Sequence, residues 1–232
     1  GNYYGTPRAP VEAALARGFS IEVDLQPSSD GKAMVFHDDV LDRLTFETGD
    51  IRDRTAAELT RLRMRGGDDR LWLLEDLLGL VDGKVGLCIE LKSRFARRPD
   101  AEWIGGIARL LQAYPGPVAV KSFDPDMLEL MRAAAPEIPR GALGDGARDL
   151  EEWGRASRMD RFILRNILYA PRVRPSFVSW WVKDLPALAP SLLRRVFGLP
   201  IITWTVRTAE DRKRAAAFAD QIVFEGFDAD AP

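Results

Sequence analysis

Apolar positions along this chain fall into short strand-like runs separated by longer stretches with helical spacing. The strand-like runs are 19–25, 85–92, 118–123, 141–144, 177–182, 201–206 and 221–227. Between them, helical spacing is carried by 12–17 (stopped at Gly18), 55–64 (capped by Thr55), 74–81 and 101–114, which ends in Pro-Gly-Pro. Further helices are predicted at 126–134, 188–197 and 209–219. Strands alternating with helices predict a parallel sheet of βα units. Seven core strands are one short of the eight in a (β/α)₈ TIM barrel. The chain opens on a helix, so the expectation is one barrel domain over 1–232 whose first strand precedes the sequence given.

One stretch departs from the βα rhythm. Residues 21–39 read I-E-V-D-L-Q-P-S-S-D-G-K-A-M-V-F-H-D-D, a strand, a turn signal and a return run at 33–37. Alternate strand residues share a face, so Glu22 and Asp24 project together. Asp30-Gly31 is a favoured two-residue hairpin loop. With those two residues as the loop, Ser29 faces Lys32 and Asp24 faces His37, the single histidine of the protein. The expectation is therefore a small hairpin insertion at 26–37 that gathers two carboxylates and an imidazole.

Composition narrows the function. The 232 residues are 46% hydrophobic and 29% charged, as for a soluble globular core. No run of 18 apolar residues exists, which excludes stable membrane insertion by a spanning helix. A net charge of −2 offers no field for nucleic acid. The single cysteine, Cys88, excludes an internal disulfide and reads as a buried, inert thiol in an apolar strand. Lack of disulfides and of a basic-apolar leader at the start points to the cytoplasm.

Glu90 and Lys92 end their run as E-L-K, two residues apart. In a barrel the C-terminal strand ends meet on the face that carries active sites. Glu22, Asp24 and Glu90 together make an oxygen-rich site for a hard divalent cation, Mg²⁺ or Ca²⁺. Without a cation such a cluster suffers like-charge repulsion. Lys121 ends the A-V-K-S-F run and could neutralise a phosphate; Trp204, in I-I-T-W-T-V, offers an apolar platform. Trp180 and Trp181 are adjacent and must face opposite ways. Residues 94–98 and 172–175 read as solvated loops.

Taken together, I-E-V-D-L-Q…D-G…M-V-F-H-D-D, I-E-L-K, S-F-D-P and W-T-V-R-T resemble the glycerophosphodiester phosphodiesterases, from about Ala14 to Phe227. The resemblance implies a (β/α)₈ barrel that hydrolyses glycerophosphodiesters to an alcohol and glycerol phosphate with a divalent cation. Carried over motif by motif, Glu22, Asp24 and Glu90 would hold the cation. His37 would be an acid–base residue, Lys92 and less directly Lys121 would contact phosphate, and Trp204 would line the glycerol or alcohol pocket. The partner so implied is a small phosphodiester. Family members also carry His-Arg-Gly and Pro-Glu-Asn before the first helix; neither is here. Counting back from Gly18 places the Glu near Gly5 and His-Arg ahead of residue 1, and the expectation is that preceding residues supply them. Two rivals share the barrel: a phospholipase-D-like enzyme, and a phosphodiester-binding module without turnover.

Overall fold

The computed structural model describes residues 8–95, 100–148 and 156–227, so the match near Gly5 and most of the 94–98 loop lie outside the described residues. The chain divides into two compact units: residues up to Val120 with Leu130–Ile138, and Lys121–Glu129 with the remainder from Pro139. No described helix is long and apolar enough to cross a membrane.

The first unit opens on α1 (Arg8–Ala16), which ends at Gly18 in a left-handed turn (φ +69°). There follow β1 (Ile21–Pro27), β2 (Ala33–Val35), α2 (Ala56–Leu59), β3 (Trp72–Leu73), α3 (Leu74–Val81), β4 (Leu87–Leu91) and α4 (Ala101–Ala113). Its strands run in the order β3-β2-β1-β4. β1 and β4 are parallel, with Ile21, Val23 and Leu25 opposite Leu87, Ile89 and Leu91. All six are buried, which leaves the alternate residues to form a second, polar face. On α4 the Asp100 carboxylate caps the amides of Glu102 and Trp103, and Trp103, Ile104, Ile107, Ala108 and Leu111 are buried at helical spacing.

The hairpin is present, but its turn differs from the expected one. The Ser28 amide donates to the Lys32 carbonyl, and Gly31, at φ +74°, donates back to Ser28. This is a three-residue loop closed by a left-handed glycine. Ser28 forces it: its Oγ accepts from the Lys32 amide at 2.9 Å and donates to Asp30 at 2.6 Å. The longer loop shifts the register by one, so Leu25 faces Val35 and Gln26 faces Met34. Beyond the ladder, the Phe36 amide donates to the Asp24 carbonyl. Phe36, not His37, is therefore the residue across from Asp24, which corrects the pairing expected from a two-residue turn.

The excursion also extends past residue 37. β3 pairs antiparallel with β2, and Met34, Phe36, Leu41, Ile51, Ala56, Leu59, Met64 and Leu71 form a core of their own. Within it the helix expected at 55–64 stops at Leu59. The next residues are drawn into extended pairing, with Met64 donating to Asp69 and Arg65 to Leu44.

β5 (Val118–Ser122) and α5 (Pro125–Ala134) come next. The second unit continues with β6 (Arg140–Gly144), α6 (Arg158–Arg165), α7 (Ala170–Val173), β7 (Phe177–Trp181), α8 (Leu188–Phe197), β8 (Ile201–Val206), α9 (Ala209–Phe218) and β9 (Gln221–Phe224). Its strands β6-β7-β8-β9 are parallel neighbours. Glycines on β6 make room for aromatics on β7: a Cβ at Gly141 would stand 2.2 Å from the Phe177 ring, and one at Gly144 would stand 2.7 Å from Trp180. Trp180 lies in a core with Leu128, Ala142, Val173, Val178 and Ile201.

Candidate active site

The polar face of the β1–β4 pair carries the candidate site. Asp24 is in register with Glu90 across the parallel ladder, and Glu22 with Cys88. Because alternate residues share a face, Glu22, Asp24 and Glu90 converge: each offers one carboxylate oxygen within 4.8 Å of the others. Glu90 is buried and the other two are half-buried. Lys92, one step beyond Glu90 on the same face, sets its Nζ 3.0 Å from Asp24 Oδ1 and 2.8 Å from Glu90 Oε1. Burial disfavours the Lys92 ammonium, but the charges of Asp24 and then Glu90 outweigh it, and its pKa is raised.

Three carboxylates balanced by one ammonium leave net negative charge in a partly desolvated place, which is costly without a further cation. The donors are all hard oxygens, and Glu22 retains exposure. That chemistry fits Mg²⁺ or Ca²⁺ with water completing the shell, and does not fit a soft metal.

Gln26 extends the Glu22–Asp24 row by one more alternate position and is buried at 1% exposure. Its Nε2 donates to Asp39 Oδ1 at 3.0 Å and to the His37 carbonyl at 3.3 Å, while its Oε1 accepts from Arg52 at 2.7 Å. Arg94, just past β4, reaches the same loop: it pairs with Asp50 at 2.5 Å and Asp39 at 3.2 Å, and donates to the Asp39 carbonyl. Arg94's hydrogen bonds hold the Asp50 carboxyl below the usual aspartate range. The segment bearing His37 is thus clamped to the ends of β1 and β4 by side chains.

His37 follows the residue bonded to Asp24, and its side chain is 37% exposed. Its Nδ1 lies 2.7 Å from Asp38 Oδ1, and Arg43 Nε donates to the other Asp38 oxygen at 2.7 Å. Burial works against ionising Asp38, but the hydrogen bonds from His37 and Arg43 prevail and its pKa is lowered.

The remaining sequence candidates lie elsewhere in the chain. Lys121 is on β5 in the second unit and is buried at 2% exposure. Trp204, on β8 in that unit, is half-buried and packs edge-on against Phe123 with ring centroids 5.7 Å apart; its indole N–H has no hydrogen-bond partner among the described residues. Cys88 is half-buried rather than buried, because its register with Glu22 places it on the polar face and not among the apolar residues. Sequence reasoning missed the clamp. Gln26 could have been found as the next member of the alternating polar row, whereas Arg94 and Arg52 carried no pattern at all.

Residues 9–224 match the profile of the "Glycerophosphoryl diester phosphodiesterase family". A glycerophosphodiester phosphodiesterase of Caldanaerobacter subterraneus is 27% identical over 206 residues, which span 84% of this chain and 76% of that protein. Among solved structures, an Oleispira antarctica phosphodiesterase in complex with the product sn-glycerol-3-phosphate superposes with a TM-score of 0.75 at 20% identity, covering 93% of this chain and 85% of that one. A putative glycerophosphoryl diester phosphodiesterase from Silicibacter pomeroyi gives 0.74 at 23% identity over 94% and 84%. At such identities the likeness speaks to the fold, which is α/β of the (β/α)₈-barrel class.

Proposed function

The chain belongs to the glycerophosphoryl diester phosphodiesterase family, and from that premise we propose that it hydrolyses a glycerophosphodiester to an alcohol and glycerol phosphate with a divalent cation held by Glu22, Asp24 and Glu90. The observation that carries this reading is the convergence of those carboxylates within 4.8 Å, with Lys92 salt-bridged to two of them. When bound, the cation supplies Lewis-acid polarisation of the phosphoryl oxygens. Lys92, fixed between Asp24 and Glu90, offsets negative charge on the same phosphate. Preorganised charge of this kind is often the largest catalytic contribution.

His37 transfers a proton to or from a bridging oxygen, with Asp38 holding its ring. The roles proposed for Lys121, as a second phosphate contact, and Trp204, as apolar lining for the alcohol, rest on the motifs that carry the family resemblance. The substrate is a small phosphodiester, and Mg²⁺ or Ca²⁺ is the cation.

The test is release of glycerol phosphate from glycerophosphocholine by the purified chain, with each cation and with chelator. Turnover should require cation and fall to background in Asp24→Asn and Glu90→Gln. Full turnover in chelator, or in either variant, would reject the metal site. Binding of the diester without hydrolysis at saturating cation would favour the module without turnover.

A further inference from the structure

Helix α6 turns both charged and apolar side chains outward. Its residues, R-M-D-R-F-I-L-R, are begun by a capping box in which the Ser157 hydroxyl accepts from Asp160, and none of them is buried. Ile163 and Leu164 pack partly against the core. The opposite side carries Arg158, Arg161 and Arg165 at helical spacing, beside Met159 and Phe162. Met159 is 64% exposed and Phe162 45%, and Leu168, just past the helix, is 54% exposed. The Arg165 guanidinium lies 5.4 Å from the Phe162 ring centroid, so charge and apolar surface are interleaved on one face.

The local charge opposes that of the whole chain. Between Arg158 and Arg174 there are five arginines and one aspartate, in a protein of net charge −2. Arg172 is engaged by Asp126 and Glu129. Among the described residues, no carboxylate pairs with Arg158, Arg161 or Arg165. A helix left exposed only to water gains nothing from presenting Met and Phe. A helix bound to nucleic acid alone would not need them either.

We propose that α6 and Leu168 form a peripheral docking face for an anionic lipid bilayer. Met159, Phe162 and Leu168 enter the boundary of headgroups and acyl chains, and the arginines stay at the phosphates with their alkyl stems along the apolar surface. Charge complementarity selects the occupant: each basic residue near an anionic leaflet adds about 1 kcal/mol, or roughly fivefold, to partitioning. None of these residues belongs to the carboxylate site, so the proposal stands or falls independently of the hydrolysis.

Vesicle co-sedimentation of the whole chain tests it. The probes are phosphatidylcholine vesicles with and without phosphatidylglycerol. Binding is expected only with phosphatidylglycerol, and it should be released at about 1 M salt, where the screening length is about 3 Å. The Arg158→Gln, Arg161→Gln, Arg165→Gln triple variant should bind roughly a hundredfold more weakly. Phe162→Asp should also lose binding, and both should hydrolyse a water-soluble diester at the parent rate. The exposed stripe of Leu188 and Leu192 on α8 supplies a control, since Leu192→Asp should bind as the parent does. The proposal is overturned by no sedimentation, by equal binding to neutral vesicles, or by unchanged binding of the α6 variants. Loss confined to Leu192→Asp, or binding to homopolymeric RNA in place of vesicles, overturns it as well.

Discussion

His37 Nδ1 stands 2.7 Å from Asp38 Oδ1, and in the proposed reaction that contact gives the two ring nitrogens different roles. With Nδ1 turned to a carboxylate, the ring proton is held there and Nε2 is the atom that can accept or return a proton. Arg43 grips the far oxygen of the same carboxylate, so Asp38 is itself held in place.

Asp38→Asn should therefore lower kcat by roughly 10–100-fold while leaving KM close to the parent value. His37→Ala should cost more, roughly 10²–10⁴-fold. The double variant should be no slower than His37→Ala, because in the proposed reaction the two act through one proton transfer. Steady-state kinetics on the three proteins check this, and additive losses would separate Asp38 from the histidine's role.

Lys92 makes a second prediction possible without an activity assay. It offsets part of the charge of Asp24 and Glu90, so a cation held by those carboxylates would compensate the same repulsion as Lys92. In chelator, Lys92→Met should destabilise the protein by about 3 kcal/mol, the cost of breaking a largely desolvated pair. At 2–4 °C per kcal/mol for a chain of about this size, that is a fall in Tm of roughly 6–12 °C. Saturating Mg²⁺ or Ca²⁺ should restore part of the loss. An equal fall with and without cation, measured by calorimetry, would mean the carboxylates hold none.

The division between what the sequence made legible and what it hid follows a physical line. Strand positions and the Glu22–Asp24 and Glu90–Lys92 pairings rest on a period of two, which survives into any sheet. The parallel register that sets Asp24 against Glu90 then follows from burying Ile21, Val23 and Leu25 together with Leu87, Ile89 and Leu91. The turn was less legible: Asp30-Gly31 signals a loop, but only the Ser28 hydroxyl, by capturing the Lys32 amide, decides between two residues and three. Arg94 was illegible because its partners Asp39 and Asp50 are more than forty residues away, and long-range side-chain pairs leave no local pattern. α6 escaped because it is only eight residues long and buries none of them, so its few apolar positions are too short a run to set a helical period.

Acid should unfold the excursion from a defined side. The folded-state pKa values of Asp38 and Asp50 lie below the ordinary 3.8. A depressed carboxylate contributes stability that is fully present above its unfolded value and is lost as pH falls through the folded one. Tm should thus be insensitive to these groups above about pH 5 and should drop steeply below about pH 4. Asp50→Asn removes one such group, so its Tm should be lower than the parent's near neutrality, and the gap should narrow towards pH 2–3. A gap that stays constant with pH would show that Arg94 gains nothing from the Asp50 charge.

The three-residue turn gives the last prediction. Asp30 Oδ1 accepts from the Ser28 hydroxyl at 2.6 Å and from the Ala56 amide at 2.8 Å, so one carboxylate closes the turn and also ties it to the start of α2. Asp30→Ala removes both acceptors and should cost about 1–3 kcal/mol. Gly31→Ala meets no atom within 4 Å, so its cost is the left-handed backbone alone, about 1–2 kcal/mol. Gly31→Asn should recover much of that, since asparagine tolerates the same region. Denaturant midpoints at constant slope rank the variants. The order Asn above Ala at position 31 identifies backbone conformation as the cause. Equal midpoints for Asp30→Ala and the parent would mean that the register is held by the core around Phe36 and Leu41, with the turn merely following.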